Sequence, residues 1–244
     1  MALLPGAEPF EHDEGPVGAL LLHGFAGSPA DLRPLAAHLA DGGSSVLLPR
    51  LPGHGTTWQD LAVCRWDDFH AEADRALTAL RSRCAHVVVV GQGVGAALAL
   101  RLAELRPADV DGLVLLAPAL ELRRPSRAAA MLLPWASSPA AEGSGGYDRV
   151  PLRALRSVAH EGWDPVRDDI ARVVAPVLLV RADDDPVVPA SSGDWLVAHL
   201  TTPDVTELRV EHGGHLLVRG AEADAVLAAA SEFLHRVAPS STDA

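Results

Sequence analysis

Lysine and asparagine are missing from these 244 residues, and isoleucine occurs once, at Ile170. All 20 basic residues are therefore arginines. Such a composition reads as the codon bias of a GC-rich genome. It also has a chemical consequence: no lysine is present to form a Schiff base or act as a general base. Cysteine is scarce too. Cys64 and Cys84 are too few for a disulfide framework and wrongly spaced for a metal site. Cys84, just before an apolar run, reads as a packing residue. Acidic side chains outnumber basic ones by 32 to 20, and the net charge of −12 argues against nucleic acid or an anionic membrane as partner. No apolar run reaches transmembrane length. The N-terminus soon meets Glu8, Glu11, Asp13 and Glu14, without the basic start and apolar core of a signal peptide. The expectation is a soluble, cytoplasmic protein, disordered only at its ends, such as 239–244. Nothing in the sequence speaks to oligomeric state.

What is present is apolar: 48% of the chain, enough for one large core. Short apolar runs at 17–22, 45–48, 87–90, 113–116, 177–180 and 205–210 read as strands. Most are continuous rather than alternating, the pattern of a parallel sheet covered on both faces. Between them, 29–40, 67–82, 94–105, 190–200 and 221–236 have helical periodicity. Strand and helix in alternation predict an α/β fold. The rhythm breaks between Leu120 and Val174, where no strand is legible. This span holds 123–126 (Arg-Arg-Pro-Ser), 131–135 (Met-Leu-Leu-Pro-Trp) and 144–147 (Ser-Gly-Gly-Tyr). It reads as short helices inserted after a sheet strand. The expected division is a core of 1–120 and 173–244 and a small helical cap at 121–172. Ligands bind at the carboxyl edge of such sheets, so an insertion there is more often functional than decorative.

Four loops carry the chemistry. His23-Gly-Phe-Ala-Gly-Ser28 follows the first run; a glycine-rich turn there can aim backbone N–H groups into a cavity. Val90-Gly-Gln-Gly-Val-Gly95 lies between a strand and a helix and has the shape of a nucleophile elbow, G-x-S-x-G, with glycine at the centre. A dinucleotide-binding loop fits poorly, because Ala96 stands where the third glycine belongs and the loop follows the third strand. The third loop is Ala182-Asp-Asp-Asp-Pro-Val-Val-Pro189, and the fourth is Glu211-His-Gly-Gly-His-Leu216. An acid in one and a histidine in the next can meet at the sheet edge, the carboxylate fixing the imidazole tautomer. No cofactor or metal motif appears.

These loops, together with Gly6-Ala-Glu-Pro-Phe10, Leu51-Pro-Gly-His-Gly-Thr56, the region of Trp66, Tyr147 and Pro151-Leu-Arg-Ala-Leu155, resemble the small α/β-hydrolase carboxylesterases and monoacylglycerol lipases of bacteria. The resemblance spans nearly the whole chain. It implies an α/β-hydrolase fold, Asp185 and His215 as acid and base, and the N–H groups of Phe25 and Val94 as oxyanion hole. Asp185 is chosen over Asp183 and Asp184 because it stands directly before the x-Val-Val-Pro segment. The resemblance puts a serine at position 93, where this chain has Gly93 and hence no hydroxyl. Ser28 and Gln92 are not obvious substitutes. Three readings stay open: a His–Asp general base acting on water or a substrate proton, the nucleophile-knockout (serine-to-glycine) form of a carboxylesterase or lipase, or a non-catalytic binder. Trp58, Trp135 and Trp163 suggest a small apolar or acyl-containing partner.

Overall fold

A computed structural model of the chain describes residues 2–121, 131–133, 135–140, 143 and 146–238. Its strands are β1 (Phe10–His12), β2 (Val17–Leu22), β3 (Ser45–Leu48), β4 (His86–Gln92), β5 (Gly112–Leu116), β6 (Ser137–Pro139), β7 (Arg149–Pro151), β8 (Val177–Ala182) and β9 (Val205–Val210). The main sheet has seven strands in the order β1-β3-β2-β4-β5-β8-β9. All its pairings are parallel except that of the short edge strand β1 with β3. The helices used below are α1 (Arg33–Asp41), α2 (Trp58–Ala62), α3 (Trp66–Arg81), α4 (Val94–Leu105), α5 (Leu152–Ser157), α6 (Asp164–Asp169), α7 (Ala190–His199) and α8 (Ala223–Val237).

The two faces of the sheet build separate cores, because successive strand residues point to opposite sides. Ala19, Leu21, Val88, Val90, Val114 and Leu116 pack under Leu35 and Leu39 of α1 and Ala230 and Phe233 of α8. Their neighbours Leu20, Leu22, Val87, Val89, Leu113 and Leu115 pack under Phe69 and Leu77 of α3 and Leu98 and Leu102 of α4. With both faces buried, the strands can be apolar at every position. Cys84 is buried as a free thiol. Among the described residues no helix is long and apolar enough to cross a membrane.

The span after Leu120 departs from the strand-free reading. β6 and β7 pair antiparallel as a separate two-stranded sheet, with Ser137 opposite Pro151. Three-residue strands holding Ser and Pro carry no periodicity signal, since their pairing is set by contacts outside the local sequence. From Leu152 the chain runs through α5, a π-helical turn at Val158–Trp163 and α6. Residues 123–126, Pro134, 144–145 and 239–244 lie outside the described residues.

Candidate active site

The carboxyl ends of β2, β4, β8 and β9 release the loops that carry every site residue named from sequence. β4 lies at the centre of the sheet order, and its last residue, Gln92, leads directly into Gly93 and α4. Gly93 has φ 56° and ψ −115°, a left-handed conformation in the sharp strand-to-helix turn. The Gly93 N–H donates to Leu116 O at 2.9 Å, and its carbonyl accepts from Ala119 at 3.1 Å, so β5 and its exit loop hold the turn.

The three glycines of this turn are present for different reasons. A Cβ on Gly91 would stand 2.3 Å from Gly95 O, and one on Gly95 would stand 2.0 Å from Leu22 O. Backbone cannot yield to such contacts, so both positions require glycine. A Cβ on Gly93 would meet only His215 Nε2 at 3.4 Å, His215 Cε1 at 3.5 Å and Gly24 Cα at 3.9 Å. Backbone angle favours glycine at 93, but space does not demand it. A side chain there would face the imidazole.

His215 is 8% exposed. Its Nδ1 lies 3.0 Å from Asp185 Oδ2. The other carboxylate oxygen of Asp185 accepts the N–H groups of Val187 at 2.7 Å and Val188 at 3.0 Å. These contacts fix the carboxylate and put the imidazole proton on Nδ1, leaving Nε2 as the free base facing position 93. The neighbouring acids do other work. Asp184 accepts the N–H of Gly214 at 2.7 Å, which shapes the histidine loop, while Asp183 pairs with Arg209 at 3.4 Å. Gln92 ties the elbow to the same loop through Nε2 and His215 O, 3.4 Å apart.

Phe25 stands in the turn after β2, next to Ala26, whose φ is 63°. Val94 is the first residue of α4, so its N–H belongs to the unpaired donors of a helix start. Ser28 is committed to local structure: its hydroxyl accepts from Ala30 N at 3.3 Å and its N–H donates to Asp31 Oδ2 at 3.0 Å. Asp31, buried, is pushed up from the ordinary carboxylate range by that burial, and Arg219 from the histidine side reaches it at 3.7 Å. This acid, which sequence reasoning missed, links the Phe25 turn to the segment after His215.

Two further histidines, His23 and His54, lie in motifs read from the sequence but are given no role there. Fully buried His23 lies 3.0 Å from Gly24 O through Nδ1 and accepts Leu51 N–H at Nε2, 3.1 Å away. His54 lies 2.9 Å from Pro52 O through Nδ1. Their rings meet edge to face at 4.9 Å, and Phe25 and Phe69 pack on His54. Burial lowers their pKa to about 3 for His23 and about 4 for His54, so both are neutral supports for the turn.

Tyr147 connects the segment after Leu120 to this edge. Its N–H donates to Ala26 O at 3.0 Å. Its phenol donates to Gly53 O at 2.8 Å and accepts from Thr56 N at 2.9 Å. Of the tryptophans read as ligand-facing, Trp163 is instead a core residue, 4% exposed. Trp58 is half-buried under Arg149, and Trp135 is exposed.

Comparison with known proteins agrees with the fold described above. The chain matches the family described as serine aminopeptidase, S33, over residues 18–145. It is 31% identical over 242 residues to the thermostable monoacylglycerol lipase of Bacillus sp. (strain H-257), covering 95% of each chain. It is 24% identical to a carboxylesterase of Bacillus subtilis (strain 168), covering 94% of this chain and 97% of that one. A solved structure of one of two metagenome-derived lipolytic enzymes superposes with a TM-score of 0.90 at 28% identity, over 96% of this chain and 100% of that one. The chain therefore belongs to the serine aminopeptidase S33 family of the α/β-hydrolase superfamily and is lipase- and carboxylesterase-like over nearly its whole length.

Proposed function

We propose that the chain binds a small acyl-containing molecule at the carboxyl edge of the sheet and that His215, oriented by Asp185, serves there as a general base. The observation that carries this reading is the 3.0 Å contact of His215 Nδ1 with Asp185 while Nε2 faces position 93. Nε2 takes a proton from a water standing where a side-chain hydroxyl on residue 93 would otherwise sit. The hydroxide formed attacks the acyl carbon. The N–H groups of Phe25 and Val94 stabilise the oxyanion, and the imidazolium returns its proton to the departing alkoxide. A substrate C–H presented to Nε2 would lose its proton by the same geometry. The described residues of 121–172 act as the cap over this edge, a reading supported by the bonds of Tyr147 to Ala26, Gly53 and Thr56.

The test is hydrolysis of p-nitrophenyl acetate by the chain as it stands. Slow turnover that falls to the solvent background in His215→Ala supports a base acting on water. Turnover equal in the two proteins contradicts it. One observation favours a second reading, that this is the nucleophile-lacking form of a carboxylesterase or lipase: position 93 has room for a Cβ beside His215. On that reading the fold and site are those of an ester hydrolase, and only the hydroxyl is missing.

A further inference from the structure

An open cleft of about 540 Å³ has none of Phe25, Gly93, Val94, Asp185 or His215 among its described lining residues. Its walls are Arg153, Arg156 and Ser157 of α5, Arg65 at the start of α3, His160 and Glu161 of the π-helical turn, and Trp135. A volume of this size suits a small organic ligand.

Many arginines are matched to acids: Arg101 to Glu104 and Asp169, Arg106 to Asp74 and Asp109, Arg181 to Asp194 and Glu207. Others find neutral partners: Arg33 and Arg50 backbone carbonyls, Arg149 Ser137, and Arg167 the ring of Trp195. On the cleft, Arg65 pairs with Glu161, which also accepts the Ser157 hydroxyl. Arg153 and Arg156 have no such partner among the described residues. Both are exposed, and among the described residues no carboxylate pairs with either. They lie three apart on one short helix, where like charges repel. Among the described residues that line the cleft, three guanidiniums stand with one carboxylate, in a chain of net charge −12; Asp67 and Asp68 act on Arg65, and Asp164 on His160, from just outside it.

Trp135 stands beside these cations by construction. The carbonyl of the next residue, Ala136, accepts the N–H of Leu152, the first residue of α5, at 3.1 Å, and β6 pairs with β7 just beyond. The indole is 79% exposed and so is open to a ligand. An exposed indole and guanidinium forks on one cleft match a ligand that joins a flat apolar part to an oxyanion.

We propose that this cleft binds a phosphate monoester carrying a flat apolar group. Two guanidiniums not neutralised by Glu161 match the nearly doubly charged phosphate of a monoester at neutral pH better than a singly charged carboxylate. Arg153 and Arg156 clamp the phosphate, Trp135 covers the apolar part, and Glu161 holds Arg65 on the far wall.

Phenyl phosphate titrated into the full chain by calorimetry tests this. Saturable binding is expected, weakened at least ~10-fold in Arg153→Gln/Arg156→Gln. Trp135→Ala should weaken phenyl phosphate while leaving inorganic phosphate unchanged. His215→Ala should bind both as the parent does. Both arginines are exposed, so unchanged melting of the variants is expected and shows that a lost signal is not a lost fold. Should the double glutamine variant melt early, Arg156→Gln alone must still weaken binding. Absence of saturable binding up to millimolar phenyl phosphate overturns the proposal. So does equal affinity in the arginine variants, or loss of binding in His215→Ala, which would place the anion at the sheet edge.

Discussion

His215 and His54 are both nearly sealed from solvent, at 8% and 1% exposure, yet their surroundings suit them to different work. In the loop after β9, His215 has a fixed carboxylate on Nδ1 and an open approach to Nε2 from position 93. Behind the turn after β2, His54 and His23 are bound through Nδ1 to carbonyls and have no carboxylate within contact among the described residues. Burial drives those two to pKa values of about 4 and 3 and leaves them neutral. Burial alone makes an imidazole a rigid aromatic strut. Burial beside a held carboxylate makes it an oriented base.

The contrast is broken most easily through the carboxylate. In the Gly93→Ser protein, Asp185→Asn is expected to lower ester turnover by about 10⁴-fold, the order seen for the analogous change in serine proteases, because the imidazole loses its tautomer and orientation. His54→Gln should lower it far less. Similar losses from the two changes, measured as kcat/KM on p-nitrophenyl butyrate, would erase the distinction between base and strut.

A second comparison sits within the elbow. Gly95→Ala puts a methyl 2.0 Å from Leu22 O, so denaturant titration should show a loss of roughly 3 kcal/mol or more. Gly93→Ala meets no atom closer than 3.4 Å and carries only the cost of its left-handed backbone, roughly 1–3 kcal/mol. Gly95 must be the more costly of the two. The reverse order would mean that the turn is shaped otherwise.

The neutral pair also predicts a pH response. The unfolded chain protonates histidine near its ordinary value of 6.5, while folded His54 and His23 resist until about pH 4 and 3. Between those limits the unfolded state binds more protons, so their contribution to stability is complete above 6.5 and shrinks as pH falls. Each histidine adds up to roughly 1.4 kcal/mol per pH unit in that window. Unfolding free energies of the parent and His54→Gln, compared from pH 7 to 4.5, should converge as pH falls. A constant difference would show that His54 titrates alike in both states.

Much of this was legible in the sequence. The runs 17–22, 45–48 and 205–210 are strands with those bounds, and 87–90, 113–116 and 177–180 are short by one to three residues. Continuous apolar runs leave little freedom once both sheet faces are covered. The loops bearing Phe25, Gly93, Asp185 and His215 leave the carboxyl ends of β2, β4, β8 and β9, with only β5 between β4 and β8, so the strand-then-loop pattern already put them along one sheet edge. What the sequence hid was short or dependent on contacts far along the chain. β1 is only Phe10-Glu11-His12, and α2 is five residues started by the Thr57 cap. The β6–β7 pairing and the π-helical turn rest on partners outside their own segments. The roles of His23, His54 and Asp31 gave no signal, although both histidines stand in the motifs, because those roles come from burial and backbone partners. Tyr147 showed only through family resemblance, and its bonds span about 90 residues.

The central claim is that position 93 faces a competent base and lacks only a nucleophile. It is tested most directly by measuring p-nitrophenyl butyrate hydrolysis for the parent, Gly93→Ser, His215→Ala and the double variant. Gly93→Ser is expected to raise the rate by several orders of magnitude, bounded by the roughly 10⁶-fold that a lost serine nucleophile costs in subtilisin. Adding His215→Ala should remove the gain almost entirely, since the hydroxyl is then left without its base. A gain that survives His215→Ala, or no gain from Gly93→Ser in a protein that remains folded, would contradict the account.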